Sequence, residues 1–302
     1  MTAHLPGLAR LLTERYRLHD VGLTDLRTLV NDVVAVSAAE GDFALKVYHR
    51  NRTRPAVQWE VDLLIYLHRR GAPVVPPIRG RNGYLEEFTV EGQQRAAVLF
   101  GWAPGAKPGP GYETYVALGE AAARIHRAAD GFAASPARET YDTAVLVDDQ
   151  LRRMRPALLE AGQWGTVTAL GERLKDRLAE PSLDWGICHM DLTLDNVHLA
   201  EGLTVFDFDS AGACWRALEP YGVLRFSEPY FRAWLAGYRS VRPFGIADER
   251  AVAVFGIVAD LRVVAWKLGV ATSSRGDPLL TVQDLPGIVA GWLDWEAAHL
   301  LG

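Results

Sequence analysis

A run of proline and glycine divides the chain into two parts with different sequence patterns. Residues 102–111 contain three prolines and three glycines, and both residue types disfavour the interior of helices and strands. Strand-like patterns dominate before this run and helical patterns dominate after it. The sequence therefore predicts an α+β chain of 302 residues in two parts, 1–101 and 102–302, each long enough to bury its own core.

The first part predicts a small sheet with one helix that crosses it. Two segments rich in β-branched and aromatic residues surround Ala39-Glu40-Gly41, which is typical of a hairpin. Further along, Val57, Val61 and Leu64 recur at helical spacing. The predicted elements, in chain order, are helix Leu8–Tyr16, strands Asn31–Ser37 and Asp42–Tyr48, helix Arg54–Arg70, and strands Ile78–Phe88 and Gln93–Phe100.

The second part predicts mostly helices with one short β-rich interruption. Helical patterns cover Tyr112–Arg127 and Asp148–Leu178, a β-like segment occupies Asp184–Asp209, and helices continue to Leu301. The most apolar long window, Ala251–Ala271, contains three charged residues. Charges are costly inside a membrane, so this window predicts a buried helix of a globular protein.

Composition excludes several classes of protein. The net charge is −5 and the isoelectric point is about 5.9, whereas a nucleic-acid-binding domain usually carries a basic surface. Two cysteines are too few for a disulfide framework. The first residues lack the basic start and apolar run of a signal peptide. We therefore expect a cytoplasmic protein with no nucleic-acid or membrane partner.

The densest group of polar residues lies in the β-like segment. His189, Asp191 and Asn196 follow the pattern H-x-D-x-x-x-x-N. Two short apolar runs come next, Val197–Ala200 and Leu203–Phe206, separated by Glu201-Gly202. The second run leads directly into Asp207. A hairpin here would bring Asn196, at the start of one strand, close to Asp207, at the end of the other.

These residue types are the ones that phosphoryl transfer requires. A carboxylate must orient an attacking hydroxyl and accept its proton, and Asp191 is the candidate. Hard oxygen ligands must hold Mg²⁺, and Asn196 with Asp207 offer an amide oxygen and a carboxylate. Asp209 remains open between a second metal contact, a substrate contact and a turn residue.

A cation for the phosphates is expected from the first part of the chain. Lys46 lies inside an apolar strand, which is an unfavourable place for a lysine that has no partner. Glu60 lies on the following helix, beside its apolar face. A strand lysine paired with a helix glutamate is the arrangement that kinases use to position nucleotide phosphates.

The motifs together resemble the aminoglycoside phosphotransferase and choline kinase-like family, whose members are relatives of protein kinases. Besides Ile187–Asp209, the segment Leu118–His126 resembles that family's helix motif, and Val98–Trp102 resembles its hinge strand. The resemblance implies a two-lobed protein-kinase-like fold, with a small sheet-containing lobe and a larger helical lobe. It also implies a phosphotransferase that uses ATP or GTP with Mg²⁺ and a small-molecule hydroxyl as acceptor.

The resemblance assigns roles to individual residues. It makes Asp191 the base, and it makes Asn196 and Asp207 the metal ligands. The cofactor-binding residues that it implies are Lys46, Glu60, Asn31, Phe100 and Trp102.

The chain departs from the family pattern at several positions. Met190 stands where glycine is common, and Thr193 stands where histidine is frequent. The phosphate loop, residues 29–33, has no glycine, and only Asn31 matches there. Downstream, Glu219-Pro220 replaces an Asp-Leu pair.

Two other readings remain open. The segment Leu203–Gly212 resembles the D-x-D motif of haloacid-dehalogenase-type phosphatases, in which Asp207 would be a nucleophile and Asp209 an acid/base. A catalytically silent nucleotide-binding module is the other. For a kinase, the expected acceptor is first an antibiotic, aminoglycoside-type or other, then a small metabolite such as homoserine, choline or a sugar, and last a protein Ser/Thr.

Overall fold

The chain forms two compact units, and each is built from stretches that are separate in the sequence. The computed structural model describes residues 5–28, 31–90, 93–133, 138, 140–269 and 279–301. The first unit comprises residues 1–110, 123–138 and 193–211, and the second comprises the remainder. A single boundary at residue 101 would place 193–211 with the helical part, whereas its contacts assign it to the first unit.

The first unit is built on a five-stranded antiparallel sheet with the strand order β1-β2-β3-β5-β4. The strands are Gly22–Thr28 (β1), Asp32–Ala38 (β2), Gly41–Val47 (β3), Leu85–Val90 (β4) and Gln93–Gly101 (β5). Sequence patterns did not predict β1. They also began β4 too early, at Ile78, where Gly80 and Gly83 instead pair in a tight turn.

Alternation along the strands gives the sheet two apolar faces. On one face, Leu45 and Val47 pack with Leu8 of helix α1 (Leu5–Leu11). On the other, Tyr48 and Val98 pack with helix α2 (Arg54–Arg69). Lys46 lies between Leu45 and Val47 and pairs with Val98 across the ladder, so its side chain belongs to the face that α2 covers.

Helix α2 begins and ends at residues that suit these positions. The Thr53 hydroxyl accepts a hydrogen bond from the Ala56 N–H, which satisfies one of the first amides of the helix. Gly71, with φ of +71°, follows the last turn, a conformation that favours glycine. The predicted range Arg54–Arg70 therefore differs from the observed helix by one residue.

A short hairpin completes the first unit. Strands β7 (Val197–Leu199) and β8 (Leu203–Val205) form the predicted hairpin, with Val197 opposite Val205. Each strand is one residue shorter than predicted, and Ala200 belongs to the turn. The Pro/Gly-rich loop bonds to this hairpin between Ala106 and Leu199. Gly105 has φ of +83°, and a Cβ there would collide with the Leu199 carbonyl. Glycine thus allows the loop to approach the hairpin closely.

The second unit is mainly helical. Its helices are α3 (Tyr112–Ala129, whose second half belongs to the first unit), α4 (Asp149–Glu160), α5 (Trp164–Leu178), α6 (Tyr221–Phe226), α7 (Glu228–Val241), α8 (Ile246–Gly269) and α9 (Leu285–His299). The predicted helix Asp148–Leu178 is interrupted near Gly162, which has φ of +69°. Gly119 and Gly237 let α3 and α7 touch, since a Cβ on either would collide with backbone of the other helix.

A two-stranded sheet and one buried helix form the centre of the second unit. Strand β6 (Trp185–Cys188) pairs with β9 (Gly212–Trp215), a strand that the helical reading of this region did not predict. Helix α8 packs against α4, α5, α6 and α9. This confirms that the most apolar window lies in a buried helix as far as Gly269; residues 270 and 271 of that window lie outside the described residues. No helix among the described residues is long and apolar enough to span a bilayer.

Candidate active site

A cavity of about 370 Å³ lies within the first unit, a volume typical of small-molecule sites. Its walls are largely apolar, with a few polar side chains. The polar residues that line it are Lys46, Glu60, Asp195, Asn196, His198 and Asp207, and the apolar residues include Leu26, Val33, Ala44, Leu64, Val75, Phe100, Trp102 and Phe206. Six of the predicted site residues therefore share one concave surface: Lys46, Glu60, Phe100, Trp102, Asn196 and Asp207.

Lys46 is the central cation of this cavity. Its side chain is 6% exposed, and its Nζ lies 3.2 Å from Glu60 Oε1, 2.7 Å from Asp207 Oδ1 and 4.0 Å from Asp209 Oδ2. Burial lowers the pKa of the ammonium, but the nearby carboxylates, above all that of Glu60, raise it by more. Its pKa lies well above its ordinary value, so Lys46 is a fixed positive charge.

Glu60 is the buried partner of Lys46. Its side chain is 3% exposed because α2 packs this face onto the sheet. Burial raises the pKa of the carboxyl group, and the charge of Lys46 opposes that rise. The pair predicted from the sequence is thus formed directly, although its nucleotide role remains a prediction.

The hairpin presents Asn196 and Asp207 side by side. Asn196 ends a short turn in which the Thr193 hydroxyl accepts the Asp195 N–H, and its carbonyl accepts the Phe206 N–H at 3.0 Å. Asp207 follows with φ of +66°, a conformation that aspartate tolerates better than most residues. Both side chains line the cavity. An amide oxygen and a carboxylate there fit a Mg²⁺ ion that keeps water and phosphate ligands.

Asn31 and Asp209 are joined by a hydrogen bond close to Lys46. The Asn31 Nδ2 donates to Asp209 Oδ2 at 2.6 Å, and Asn31 Oδ1 accepts the His49 N–H at 3.0 Å. The Asp209 carbonyl accepts from Arg52 at 2.7 Å and also from Arg138. Asn31 does not line the cavity, and its predicted nucleotide contact remains untested. Leu29 and Val30 of the predicted phosphate loop lie outside the described residues.

Aromatic residues also line the cavity. Phe100 lies near the end of β5, and Trp102 follows directly after that strand. The Trp102 ring is 6.2 Å from that of His198, whose Nδ1 lies 2.9 Å from the Ala103 carbonyl oxygen. Sequence reasoning missed His198, although the alternation of β7 places it on the face opposite the buried Val197.

Asp191 belongs to the second unit and is exposed. It follows β6 through a loop with an unusual backbone, since Met190 has φ of +70°. Glycine, common here in the resembled family, adopts this conformation without strain. The Asp191 N–H donates to His189 Nδ1 at 3.3 Å, so this histidine braces the loop.

Glu219 holds the same loop from the other side. This buried carboxylate accepts the N–H of His189, and that of Met190 at 3.4 Å. A carboxylate that accepts backbone N–H groups makes stronger hydrogen bonds than a neutral acceptor. Sequence reasoning noted Glu219 only as a departure from the family pattern. That departure is the sequence signal that could have identified Glu219 as a residue that holds the Asp191 loop.

Comparison with known proteins identifies the family. A model of the phosphotransferase enzyme family matches residues 27–251. An uncharacterized protein of Deinococcus radiodurans is 35% identical over 268 residues, which cover 82% of this chain and 78% of that protein. A homoserine kinase of Acidiphilium cryptum is 27% identical over 276 residues, which cover 84% of this chain and 82% of that enzyme.

Solved structures confirm the fold. Amicoumacin kinase hAmiN, in complex with AMP-PNP, Ca²⁺ and Ami, superposes with a TM-score of 0.76 at 19% identity, covering 97% of this chain and 93% of that one. The microcompartment-associated aminopropanol kinase gives 0.75 at 21% identity, covering 95% and 94%. The phosphatase interpretation requires strands that alternate with helices along the chain. The observed five-stranded sheet is instead antiparallel. The chain therefore belongs to the phosphotransferase enzyme family and has its protein-kinase-like fold.

Proposed function

We propose that this phosphotransferase moves the γ-phosphoryl group of ATP or GTP to a hydroxyl group of a small molecule. The observation that carries the proposal is the convergence of Lys46, Glu60, Asn196 and Asp207 on one cavity of the first unit. A fixed cation and two hard oxygen ligands beside an apolar wall match the needs of a nucleoside triphosphate.

Each residue has a distinct task in this proposal. Lys46, held by Glu60, contacts the α and β phosphates, while Phe100 and Trp102 flank the base. Asn196 and Asp207 would hold Mg²⁺, which, when bound, neutralises charge on the phosphates and aligns them. Asn31 ties the β2 start to Asp209 and so fixes the surroundings of Lys46 and Asp207.

Asp191 is the proposed base. Its carboxylate accepts the proton of the acceptor hydroxyl while that oxygen forms a bond to the γ-phosphorus. The bond from the γ-phosphorus to the bridging oxygen of the β-phosphate breaks, and the nucleoside diphosphate leaves. Glu219 acts at one remove, because it fixes the backbone from which Asp191 extends.

The acceptor is a small molecule of one of two classes. An antibiotic was the first expectation from the sequence, and hAmiN is named for its action on amicoumacin. Homoserine kinase and aminopropanol kinase are named for small amino alcohols. Both classes carry the hydroxyl that the proposed chemistry uses.

The direct test measures nucleoside diphosphate release. The enzyme is incubated with ATP or GTP, Mg²⁺ and a panel of antibiotics, amino alcohols and hydroxy amino acids, and each phosphorylated product is identified by mass. We expect acceptor-dependent release that Asp191→Asn reduces by roughly 10²- to 10⁴-fold. Asp176→Asn, at an exposed site on α5, should not reduce it. Release that no acceptor stimulates, or a product formed equally well by Asp191→Asn, would contradict the proposal.

A further inference from the structure

Arg262 of helix α8 lies against the loop that carries Asp191. Its Nη2 donates to the carbonyl oxygen of Met190 at 3.3 Å, and that carbonyl carbon is bonded to the nitrogen of Asp191. The guanidinium is therefore within one peptide unit of the backbone of the proposed base. Met190 itself is 1% exposed, so the carbonyl that anchors Arg262 is firmly placed.

Most of the hydrogen-bonding capacity of Arg262 is not used by the residues that the structure describes. A guanidinium has five N–H donors in a planar fork, and the Met190 carbonyl takes one. Within the described ranges, Arg262 forms no ion pair, whereas its neighbour Arg225 bonds to Asp260, which Trp292 Nε1 also contacts at 3.3 Å. Arg262 is half-buried, and a half-buried charge usually has a counter-charge.

Tyr221 feels the charges of both Arg262 and Asp191. It begins α6, which packs against α8. Burial raises the pKa of its hydroxyl; among the charges that act on it, Arg262 lowers the pKa most, and Asp191 raises it. Both charges therefore lie within electrostatic range of one partly buried hydroxyl. A cation, a phenol and the proposed base share a small region of the second unit.

We propose that the acceptor is a small hydroxy acid whose carboxylate binds Arg262 while its hydroxyl faces Asp191. This inference rests on the proposed function and narrows it to one substrate class. A planar guanidinium binds a carboxylate through two parallel hydrogen bonds, and Arg262 has the donors for them. Arg262 bonds to the residue next to Asp191. The carboxylate and the hydroxyl of the acceptor must therefore be only a few bonds apart.

The same charge disfavours the other acceptor class. An aminoglycoside-type antibiotic is a polycation, and like charges at short range repel. Arg225 already neutralises Asp260, so Asp260 does not offset Arg262. A carboxylate on the acceptor would supply the counter-charge that Arg262 lacks among the described residues.

The test uses three acceptors and their decarboxylated counterparts. L-homoserine is compared with 3-aminopropan-1-ol, L-threonine with 1-aminopropan-2-ol, and L-serine with ethanolamine, with kcat/KM measured for each under saturating ATP and Mg²⁺. We expect at least one acid to exceed its counterpart by about 10- to 100-fold, the range for a charge-assisted pair. Arg262→Gln should erase that preference, mainly through KM, and leave the decarboxylated alcohols within about threefold of wild type.

Two controls separate this role from others. Arg250→Gln changes an exposed arginine of the same helix and should leave every value unchanged. Arg262→Lys keeps a donor for Met190 and a charge, so it should fold normally and retain part of the preference. Thermal unfolding of each variant shows whether the fold is intact.

Each other outcome has a definite meaning. A uniform loss for all six acceptors in Arg262→Gln would overturn the inference and assign Arg262 to the phosphates or to loop structure. Transfer only to alcohols or antibiotics without a carboxylate would overturn the inference and leave the proposed function intact. No transfer to any acceptor of the wider panel would overturn the proposed function itself.

Discussion

The cavity of the first unit and the Asp191 loop of the second unit are organised in opposite ways. In the cavity, side chains bond to side chains: Lys46 contacts Glu60 and Asp207. Next to the cavity, Asn31 contacts Asp209 in the same way. In the loop, side chains bond to backbone: Glu219 accepts two amides, and Arg262 donates to a carbonyl. One region fixes a set of charges, and the other fixes the path of the chain.

This difference predicts different consequences of mutation. Removing a charge from the cavity should change what binds there and leave the strands in place. Removing the charge of Glu219, which holds two amides of the loop, should change where Asp191 points and how stable the second unit is. Four variants test the contrast, in decreasing order of expected effect.

Asp191→Asn should reduce phosphoryl transfer by roughly 10²- to 10⁴-fold, the contribution expected of a general base. Asparagine can accept a hydrogen bond from the hydroxyl but cannot take its proton. Nucleotide affinity should be unchanged. Single-turnover kinetics and nucleotide titration of the same variant measure the two quantities, and a near wild-type rate would remove Asp191 from the mechanism.

Lys46→Ala should reduce turnover by about 10²- to 10³-fold, the range for one preorganised electrostatic contact. It should also weaken nucleotide binding, because the phosphates lose a fixed cation and the buried Glu60 loses its partner. Lys175→Ala, a surface lysine that pairs with Asp148 and Glu172, is the matched control. Unchanged nucleotide affinity together with unchanged turnover would refute the role.

Asp207→Asn should raise the Mg²⁺ concentration needed for half-maximal activity by at least about 10-fold. The side chain keeps its shape but loses the negative charge that attracts the cation. Activity should recover in part at high Mg²⁺, because the amide oxygen is still a ligand. A Mg²⁺ titration of wild type and variant decides, and identical curves would exclude Asp207 as a ligand.

Glu219→Gln should lower the free energy of unfolding by about 1–2 kcal/mol, since a neutral acceptor replaces a charged one in hydrogen bonds to two backbone amides. Turnover should fall modestly and nucleotide affinity should not change. Urea unfolding with parallel nucleotide titration tests this. A loss of nucleotide affinity as large as that of Lys46→Ala would break the contrast between the two regions.

Local patterns predicted most of the architecture. The periodicity of α2 and the apolar alternation of β2, β3 and β5 are properties of short segments, and those elements formed within a few residues of the expected bounds. Strands β1 and β9 escaped notice for a physical reason. Thr24, Asp25 and Leu26 of β1 are exposed, and β9 has only four residues, so neither shows a clear alternating pattern.

The candidate site likewise contains some contacts that local patterns predict and others that they do not. Asn196 and Asp207 could be predicted to lie together because one hairpin joins them, and Lys46 with Glu60 because a strand and the next helix carry them. The contact of Asn31 with Asp209 spans 178 positions, and that of His189 with Glu219 spans 30. Such contacts depend on how distant elements pack, and no local spacing encodes them.

The left-handed backbone of Met190 has an evolutionary consequence. A non-glycine residue in this conformation costs about 1–2 kcal/mol, whereas emptying a buried methionine site costs about 2–5 kcal/mol. With the present neighbours, a change to glycine would therefore relieve strain and still lower stability. In a homologue whose core already fills that volume, the same change would be favourable. The position is thus epistatic: residue 190 and the side chains around it are expected to exchange together rather than singly.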